Sequence, residues 1–211
     1  RQRAAVTWFV GASVNLLVSI EVRSGGRNED RAACFGSGDS WILVLADGAG
    51  GVGSGAESAE IVIGTAQALA VGRLSTPSAA LTFADQEIAK GSGLSTGIIV
   101  LISNGEVSGA SCGDSEAWLL ADGKTLELTS NQSRKPLLGD GARVVPFGPE
   151  PFNGRLLMAS DGLTKYARWS DVVRCIQNQS PRQAASLVAD LARIANGGYQ
   201  DDISVIVANW D

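Results

Sequence analysis

The chain has 211 residues, of which 45% are hydrophobic and 18% charged, enough for one domain with a substantial core. A net charge of −5 without a basic tract argues against a nucleic-acid surface, because phosphate binding relies on clustered Lys and Arg. Since the chain has no histidine, neither a Ser-His-Asp triad nor a histidine-ligated zinc can form. Hydrolytic chemistry would therefore rely on carboxylates, metal and water.

The three cysteines do not form a recognisable functional set. They lie far apart, at Cys34, Cys112 and Cys175, without a CxxC pair, so neither a disulfide framework nor a zinc cluster is predicted. None has an arginine six positions later, which removes the signature of a cysteine phosphatase. We expect buried, reduced thiols and a cytoplasmic location.

Residues 4–20 superficially resemble a signal peptide, because two arginines precede a largely apolar run. Thr7, Ser13 and Asn15 interrupt that run, so we predict two strands around a turn at residues 11–13 instead. No other stretch approaches the roughly 20 apolar residues of a membrane span, and we expect no membrane insertion. We expect one monomeric domain over residues 1–211, which could belong to a longer chain since the first residue is not methionine.

The first half of the chain predicts strands followed by two helices. After a short strand at residues 32–35, residues 41–46 form a continuous apolar run that ends in Asp47 and several glycines. This pattern is typical of a buried strand that ends in a functional turn. Alanine-rich residues 56–69 predict a helix, and the Thr-Pro pair at residues 76–77 indicates the start of a second one.

The second half predicts two hairpins, a long loop, and two further strands separated by helices. Asn-Gly and Asp-Gly turns join the hairpin strands, residues 94–102 with 106–112 and residues 116–121 with 125–128. Residues 129–153 are rich in proline, glycine and charge, and predict a loop with one short strand at residues 143–145. The remaining predicted elements are strands at 155–160 and 203–208 and helices at 170–177 and 181–196.

Acidic residues stand at the ends of several predicted strands. They are Glu29, Asp30, Asp47, Asp114, Asp161, Asp201 and Asp202. One acid at a turn is usually only a turn former, but five such sites flanked by apolar strands indicate more. Carboxylates that meet without basic partners repel one another, and hard divalent cations with oxygen ligands relieve that repulsion. Glycines next to these acids let the backbone approach a bound cation closely, so that a carbonyl oxygen can also be a ligand.

The glycine turn after Asp47 also matches a dinucleotide-binding motif, since residues 48–53 read GAGGVG. That motif requires a parallel strand after the helix and an acid about 20 residues further on. Here a second helix follows, and Arg73 takes the acid's position. An EF-hand loop fails as well, because Ala49 and Gly51 occupy ligand positions. A metal site built from several strand ends is the better interpretation.

The acids and their neighbours resemble the motifs of the PPM family, the metal-dependent type 2C serine/threonine phosphatases. The matching motifs occur in the family's order and cover most of the chain, at residues 28–30, 47–51, 95–97, 113–115, 159–163 and 201–205. Each motif is weak alone, whereas the ordered set is specific. The resemblance implies an α+β fold, a four-layer α/β/β/α sandwich of two antiparallel sheets flanked by helix pairs.

The resemblance also implies a site for two Mn²⁺ or Mg²⁺ ions at one end of the sandwich. The implied ligands are Asp47 as the bridge, Glu29 and the Gly48 carbonyl on one ion, and Asp161 and Asp201 on the other. Asp30 would act through bound water, and Asp114 with Asp161 would hold a weaker third ion. Two cations about 3.5–4 Å apart activate a shared water for in-line attack on phosphorus, so no protein nucleophile is required.

The arginine that would bind phosphate departs from the family's pattern. Its expected position is Gly25, which Arg23 and Arg27 flank. We favour Arg27, which would then be catalytic together with Asp47 and Asp161, although either arginine could be a solvated loop residue.

Three further departures affect what the resemblance implies. Ala49 stands where some members have a histidine acid, so metal-bound water would protonate the leaving group. Asp202 replaces the usual asparagine and adds a negative charge. The short segment between Asp114 and Asp161 predicts that the flap that helps choose substrates is trimmed to residues 131–141.

These motifs predict hydrolysis of phosphoserine and phosphothreonine on proteins by a water that bridges two divalent cations. The phosphoprotein is the expected partner. The compact layout and glycine-rich turn are also similar to the sporulation-type branch of the superfamily, whose members dephosphorylate regulatory partner proteins. The alternative is a catalytically degenerate or sporulation-type regulatory domain that binds a phosphoprotein. The proposed metal carboxylates are all present, which favours an active enzyme.

Overall fold

The structure, a computed structural model, describes residues 16–37, 39–50 and 54–210. In chain order its elements are β1 (Leu16–Arg23), β2 (Arg31–Ser37), β3 (Ser40–Ala46), β4 (Gly48–Ala49), α1 (Ser54–Ala70), α2 (Pro77–Ile88), β5 (Leu94–Ser95), β6 (Gly97–Ser103), β7 (Glu106–Cys112), β8 (Glu116–Ala121), β9 (Lys124–Glu127), β10 (Val145–Pro151), β11 (Arg155–Ala159), α3 (Asp161–Thr164), α4 (Trp169–Asn178), α5 (Pro181–Asp190) and β12 (Ile203–Trp210).

Ten of these strands form two five-stranded antiparallel sheets. The first sheet has the order β1-β12-β11-β8-β9, and the second has the order β10-β7-β6-β3-β2. The short strands β4 and β5 pair separately, next to the end of β3. The apolar run of β3 is continuous because both faces of the strand are buried. Leu43 and Leu45 face the core between the sheets, whereas Val44 faces the neighbouring helices.

A helix pair covers the outer face of each sheet. Val62 of α1 and Leu81 of α2 pack on the second sheet, and Val172 of α4 and Val188 of α5 pack on the first. The predicted four-layer α/β/β/α sandwich is therefore confirmed. The start of α2 is also as predicted, since the Thr76 hydroxyl accepts a hydrogen bond from the Ala79 amide at 3.1 Å.

Both predicted hairpins form, but the predicted strand at residues 94–102 is interrupted at Thr96. The hairpins turn at Asn104 (φ 54°) and Asp122 (φ 51°), which both adopt the left-handed conformation that tight hairpins require. The interruption separates β5 from β6 and places Thr96 beside Asp47, as described below. The predicted turn at residues 11–13 lies outside the described residues.

Two predicted boundaries are wrong. Residues 129–153 were expected to form a loop with a strand at 143–145, but β10 runs from Val145 to Pro151. β10 contains three prolines and is an edge strand, where missing amide donors cost little. It pairs with β7 through a register shift between Phe147 and Glu150. The last helix, α5, ends at Asp190, short of the glycines predicted to close it near residue 196.

Within the described residues, no helix combines the length and hydropathy needed to cross a membrane. Cys34, Cys112 and Cys175 are free thiols, and burial raises the pKa of Cys34 to about 12 and that of Cys112 to about 11. These two thiols are therefore protonated and unreactive at neutral pH.

Candidate active site

The backbone of Asp47 is held in place by the interruption between β5 and β6. The Asp47 amide donates to the Thr96 hydroxyl at 3.0 Å, and the Thr96 amide donates back to the Asp47 carbonyl at 2.8 Å. The Thr96 hydroxyl also lies 2.8 Å from that of Ser115, which follows Asp114. The Ser-Thr-Gly motif at residues 95–97 thus ties the turn after β3 to the turn before β8.

The Asp47 carboxylate is the centre of an acidic cluster. Its pKa is raised to about 9, mainly by burial and then by the negative charges of Asp30, Asp161 and Asp201. These acids come from the turn before β2, the start of α3 and the turn before β12. The structure therefore brings together four of the acids that the sequence placed at separate strand ends.

Asp30 is the most deeply buried member of the cluster. Both of its carboxylate oxygens are buried without a hydrogen-bond partner among the described residues. Burial and the charge of Asp202 raise its pKa to about 7, although the hydroxyls of Ser160 and Ser204 face it closely enough to lower that pKa. Two buried oxygens without donors carry a free-energy cost that a proton or a cation would relieve.

Asp202 has a clear structural role, which the sequence did not reveal. One of its carboxylate oxygens accepts from the Gly25 amide at 2.7 Å and from the Ser24 hydroxyl at 3.2 Å, and the other accepts from the Glu29 amide at 2.6 Å. A carboxylate offers acceptors on both sides, whereas an asparagine offers an acceptor on one side only. The aspartate at this position therefore anchors the loop that carries Arg27 and Glu29.

Glu29 lies against the start of α1 because glycines leave room for it. A Cβ atom on Gly55 would come within 2.5 Å of a Glu29 carboxylate oxygen, and one on Gly48 would lie 2.2 Å from the Gly55 carbonyl oxygen. Only glycine fits at position 48, and a larger residue at position 55 would push the Glu29 carboxylate from its place. Glu29 and the Gly48 backbone, both predicted as ligands of the same ion, are thus neighbours at the start of α1.

Asp114 and Asp161 differ from Asp47 because each is paired with a basic side chain. Arg134 donates to one Asp114 oxygen from Nη2 at 2.8 Å and from Nε at 3.2 Å. Lys165, one helical turn after Asp161, forms an ion pair with it. A third ion held by Asp114 and Asp161 would have to displace these two cations. The i, i+4 spacing of Asp161 and Lys165 was a visible signal for the second pair.

Glu116 is a further acid next to the cluster that the sequence analysis did not select. Its pKa is raised to about 7, first by burial and then by the negative charges of Glu127 and Asp114. It begins β8, opposite Ala159 at the end of β11, which explains why it lies near the turn that carries Asp161.

The structure places the two candidate arginines differently. Arg23 lies at the end of β1, where it forms an ion pair with the buried Glu21 and donates to the Ser186 hydroxyl of α5 at 3.2 Å. Arg27 is exposed in the loop that Asp202 anchors, and forms no ion pair with any described residue. Arg27 is therefore the arginine available to a ligand, while Arg23 stabilises the packing of α5 on β1.

The acids supply the donor type that Mn²⁺ and Mg²⁺ prefer, namely carboxylate and carbonyl oxygens. Over residues 16–37, 39–50 and 54–210, no three Asp, Glu or Cys side chains are already grouped as ligands of one ion. The charge distribution nevertheless fits a cation, because Asp47 has three acidic neighbours and forms no ion pair with the described residues. The observed residues are thus compatible with a divalent metal centre around Asp47.

Comparison with known proteins identifies the family. The sequence model of the family described as stage II sporulation protein E (SpoIIE) matches residues 37–211, well over half of the chain. The chain belongs to the SpoIIE family. No curated protein sequence is significantly similar to it.

Solved structures show that this SpoIIE-family chain has the fold of the PPM phosphatases. The serine/threonine phosphatase PstP/Ppp of Mycobacterium tuberculosis is 22% identical, with a TM-score of 0.78 over 93% of this chain and 98% of that one. A serine/threonine phosphatase of S. agalactiae is 19% identical, with a TM-score of 0.78 over 92% and 99%. The PstP catalytic domain solved with two manganese ions is 20% identical, with a TM-score of 0.72 over 93% and 99%.

Proposed function

We propose that this SpoIIE-family domain hydrolyses phosphoserine and phosphothreonine in proteins with the help of two divalent cations, Mn²⁺ or Mg²⁺. The observation that carries the proposal is Asp47, a largely buried carboxylate surrounded by three other acids and paired with no described cation. A charge arrangement of this kind costs folding free energy in the absence of a cation, so a functional reason must maintain it. The fold shared with serine/threonine phosphatases supports phosphate ester hydrolysis as that reason.

In this proposal the ligands of the cations are Glu29, the Gly48 carbonyl, Asp47, Asp161 and Asp201. Such a pair of cations, when bound, supplies activation of water and stabilisation of the negative charge on a phosphate ester. Asp30, the most deeply buried member of the cluster, has two carboxylate oxygens without a hydrogen-bond partner among the described residues and would accept hydrogen bonds from water. Lys165 would have to release Asp161, whereas Asp47 forms no ion pair with a described residue.

The remaining residues position the substrate. Arg27 would bind the phosphate through its guanidinium, and Asp202 keeps the loop of Arg27 at a fixed place beside β12. Ala49 carries no proton donor, and the chain has no histidine, so the leaving oxygen would take its proton from water. We propose a monomer that acts on phosphoproteins in the cytoplasm.

A second candidate function is a regulatory domain that binds a phosphoprotein without hydrolysing it. The ion pairs of Asp114 with Arg134 and of Asp161 with Lys165 favour it, because they neutralise two of the predicted ligands in the absence of metal. In that case phosphate would be held by Arg27 and by basic side chains near the cluster.

Hydrolysis of an aryl phosphate distinguishes the two functions. We expect turnover with Mn²⁺, none with a chelator, and recovery when Mn²⁺ is restored. Asp161→Asn should remove turnover while leaving the circular dichroism spectrum unchanged. Absence of turnover by wild-type protein with both Mn²⁺ and Mg²⁺ would refute the enzyme and leave the binding domain.

Substitution of each candidate arginine tests the role given to Arg27. Arg27→Ala is expected to lower kcat/KM for the aryl phosphate about 10- to 100-fold without loss of stability, because an exposed phosphate ligand is removed. Arg23→Ala should instead destabilise the fold by about 1–3 kcal/mol, since it leaves Glu21 buried and unpaired. Steady-state kinetics and urea denaturation measure the two effects. A folded Arg23→Ala protein with the larger loss of kcat/KM would reverse the assignment.

A further inference from the structure

A groove leads away from the acidic cluster along the outer face of β8 and β9. It consists of two adjoining cavities of about 350 and 300 Å³, which share Glu116, Glu127 and Thr164 as lining residues. The first cavity reaches Asp161, and the second reaches Trp169 at the start of α4. We call this feature the β8–β9 groove. One end of it therefore opens on the proposed site of hydrolysis.

The groove exists because the helices that pack on the first sheet leave the outer face of β8 and β9, at one edge of that sheet, partly uncovered. α5 packs on β1 and β12, which lie at the other side of that sheet. Over β8 and β9, Leu163 of α3 and Trp169 and Val172 of α4 form a wall, and the strands form the floor. An uncovered sheet edge with a solid wall is suited to an extended chain segment.

The end of the groove remote from the cluster is aromatic. Trp118 and Trp169 lie with their ring centroids 4.4 Å apart and their planes inclined by 37°. Trp118 is buried, whereas Trp169 is 39% exposed. An exposed tryptophan supported by a buried one offers a rigid apolar surface, which is common at the centres of binding sites.

The middle of the groove is lined by two acidic side chains, Glu116 and Glu127, that are not held in ion pairs with other described residues. At the cluster end, Arg134 pairs with Asp114 and Lys165 pairs with Asp161, so those charges cancel. Glu116 and Glu127 form no ion pair with any residue of the described chain. Glu127 lies opposite Trp118 in the pairing of β8 and β9, so its carboxylate adjoins the aromatic end. The complementary ligand is a cation with an apolar stem or an apolar neighbour.

We propose that the β8–β9 groove binds the part of a phosphoprotein adjacent to the phosphorylated residue, and that it selects Lys or Arg together with a large apolar side chain. The proposal rests on the proposed function, because it takes the acidic cluster as the place of the phosphate. Glu116 and Glu127 would pair with the basic side chain, whose methylene stem would lie along Trp118. Trp169 would contact the apolar side chain and add a cation–π interaction with the basic one.

Binding of unphosphorylated peptides tests the groove without depending on catalysis. We would use the Mn²⁺-loaded protein and two fluorescein-labelled peptides with a central serine and a leucine nearby, identical except that arginines or glutamates flank the serine. Fluorescence anisotropy at low ionic strength is expected to show at least about fivefold tighter binding of the arginine peptide, and the preference should fall as salt is added.

Charge reversal in the groove gives the sharper test. Glu127→Lys should invert the preference, so that the glutamate peptide binds more tightly, whereas the control Glu106→Lys, an exposed acid on the other sheet, should keep the wild-type preference. Trp169→Ala should weaken the binding of both peptides about tenfold or more, because the exposed aromatic ring is lost. Thermal denaturation checks that each variant is folded.

Equal binding of the two peptides by wild-type protein, or an unchanged preference in folded Glu127→Lys, would overturn the groove proposal. Aryl phosphate hydrolysis by wild-type protein is measured in parallel. If that hydrolysis is absent while the peptide preference is present, the proposed function has failed and the groove remains as a peptide-binding site. If hydrolysis is present without a peptide preference, only the groove proposal has failed.

Discussion

Asp47→Asn is expected to lower Mn²⁺-dependent aryl phosphate hydrolysis by roughly 10²–10³-fold or more, and at the same time to make the metal-free protein more stable. The loss of activity follows from the proposed role of Asp47 as the acid shared by both cations. The gain in stability follows from its surroundings, since burial and the charges of Asp30, Asp161 and Asp201 disfavour the ionised form of Asp47. The folded protein must therefore take up a proton at this position, which a neutral amide of the same shape does not require.

The stability effect should depend on pH in a defined direction. The pKa of Asp47 is about 9 in the folded protein, far above the value of about 3.9 for an unfolded aspartate. The unfolded chain therefore releases this proton first, so the stability of metal-free wild-type protein falls as pH rises from about 4 to about 9. Asp47→Asn lacks this decline, and at pH 7 the variant should be more stable by on the order of 1–3 kcal/mol.

Thermal denaturation with chelator and with Mn²⁺ measures the effect. In chelator the Asp47→Asn variant should unfold at the higher temperature, and in Mn²⁺ the order should reverse because only wild-type protein gains binding free energy. Asp122→Asn, the same substitution in an exposed hairpin turn, serves as the control. It should leave the unfolding temperature unchanged both in chelator and in Mn²⁺. A variant less stable than wild type in chelator at pH 7 would contradict the conclusion that the surroundings of Asp47 disfavour its ionised form.

Gly162→Ala is expected to destabilise the protein by about 3 kcal/mol and to disrupt the proposed metal site. A Cβ atom on Gly162 would lie 1.9 Å from the Asp202 carbonyl oxygen, a backbone atom that cannot move alone. Either α3 or the turn before β12 must shift. Both carry proposed ligands, Asp161 and Asp201, and the shift would also loosen the Asp202 anchor of the loop that carries Glu29.

Gly64→Ala is the matched control for Gly162→Ala. Gly64 is exposed in the middle of α1, and a Cβ atom there meets no other atom within 4 Å. Alanine should stabilise the protein by about 0.5–1 kcal/mol, because it reduces the conformational entropy of the unfolded chain and has a higher helix propensity than glycine. Urea denaturation should therefore give opposite signs for the same chemical change. Equal effects of the two substitutions would mean that the close contact at Gly162 does not constrain the fold.

The fold was predictable because the local signals agree with one another. The apolar run of β3, the Thr-Pro start of α2 and the two hairpin turns predicted individual elements, and the resemblance to the PPM family implied their arrangement as two sheets with helix pairs. β10 was missed because proline argues against strands in general, whereas an edge strand tolerates it. Position in a sheet is a property of the whole fold, so no local pattern contains it.

The candidate site was predictable only in part, for a similar reason. The acids around Asp47 could be selected from the sequence because they stand at the ends of predicted strands, and paired strands bring their end residues close together. The choice between Arg23 and Arg27 depended on Glu21 and Ser186, of which the second is far away in sequence. The pairing of Asp114 with Arg134 likewise joins two turns whose distance the sequence does not define. The metal roles of the individual acids remain predictions.

The position of β12 has a consequence for how the domain is made. This final strand lies between β1 and β11 and hydrogen-bonds to both, and Asp201 and Asp202 directly precede it. A growing polypeptide on the ribosome therefore cannot close the first sheet until β12 has emerged from the exit tunnel. The acidic cluster also lacks Asp201, and the loop of Glu29 lacks its anchor, until that moment. A nascent chain that lacks β12 would thus have an incomplete acidic cluster, so the proposed metal site can form only after β12 has joined the sheet.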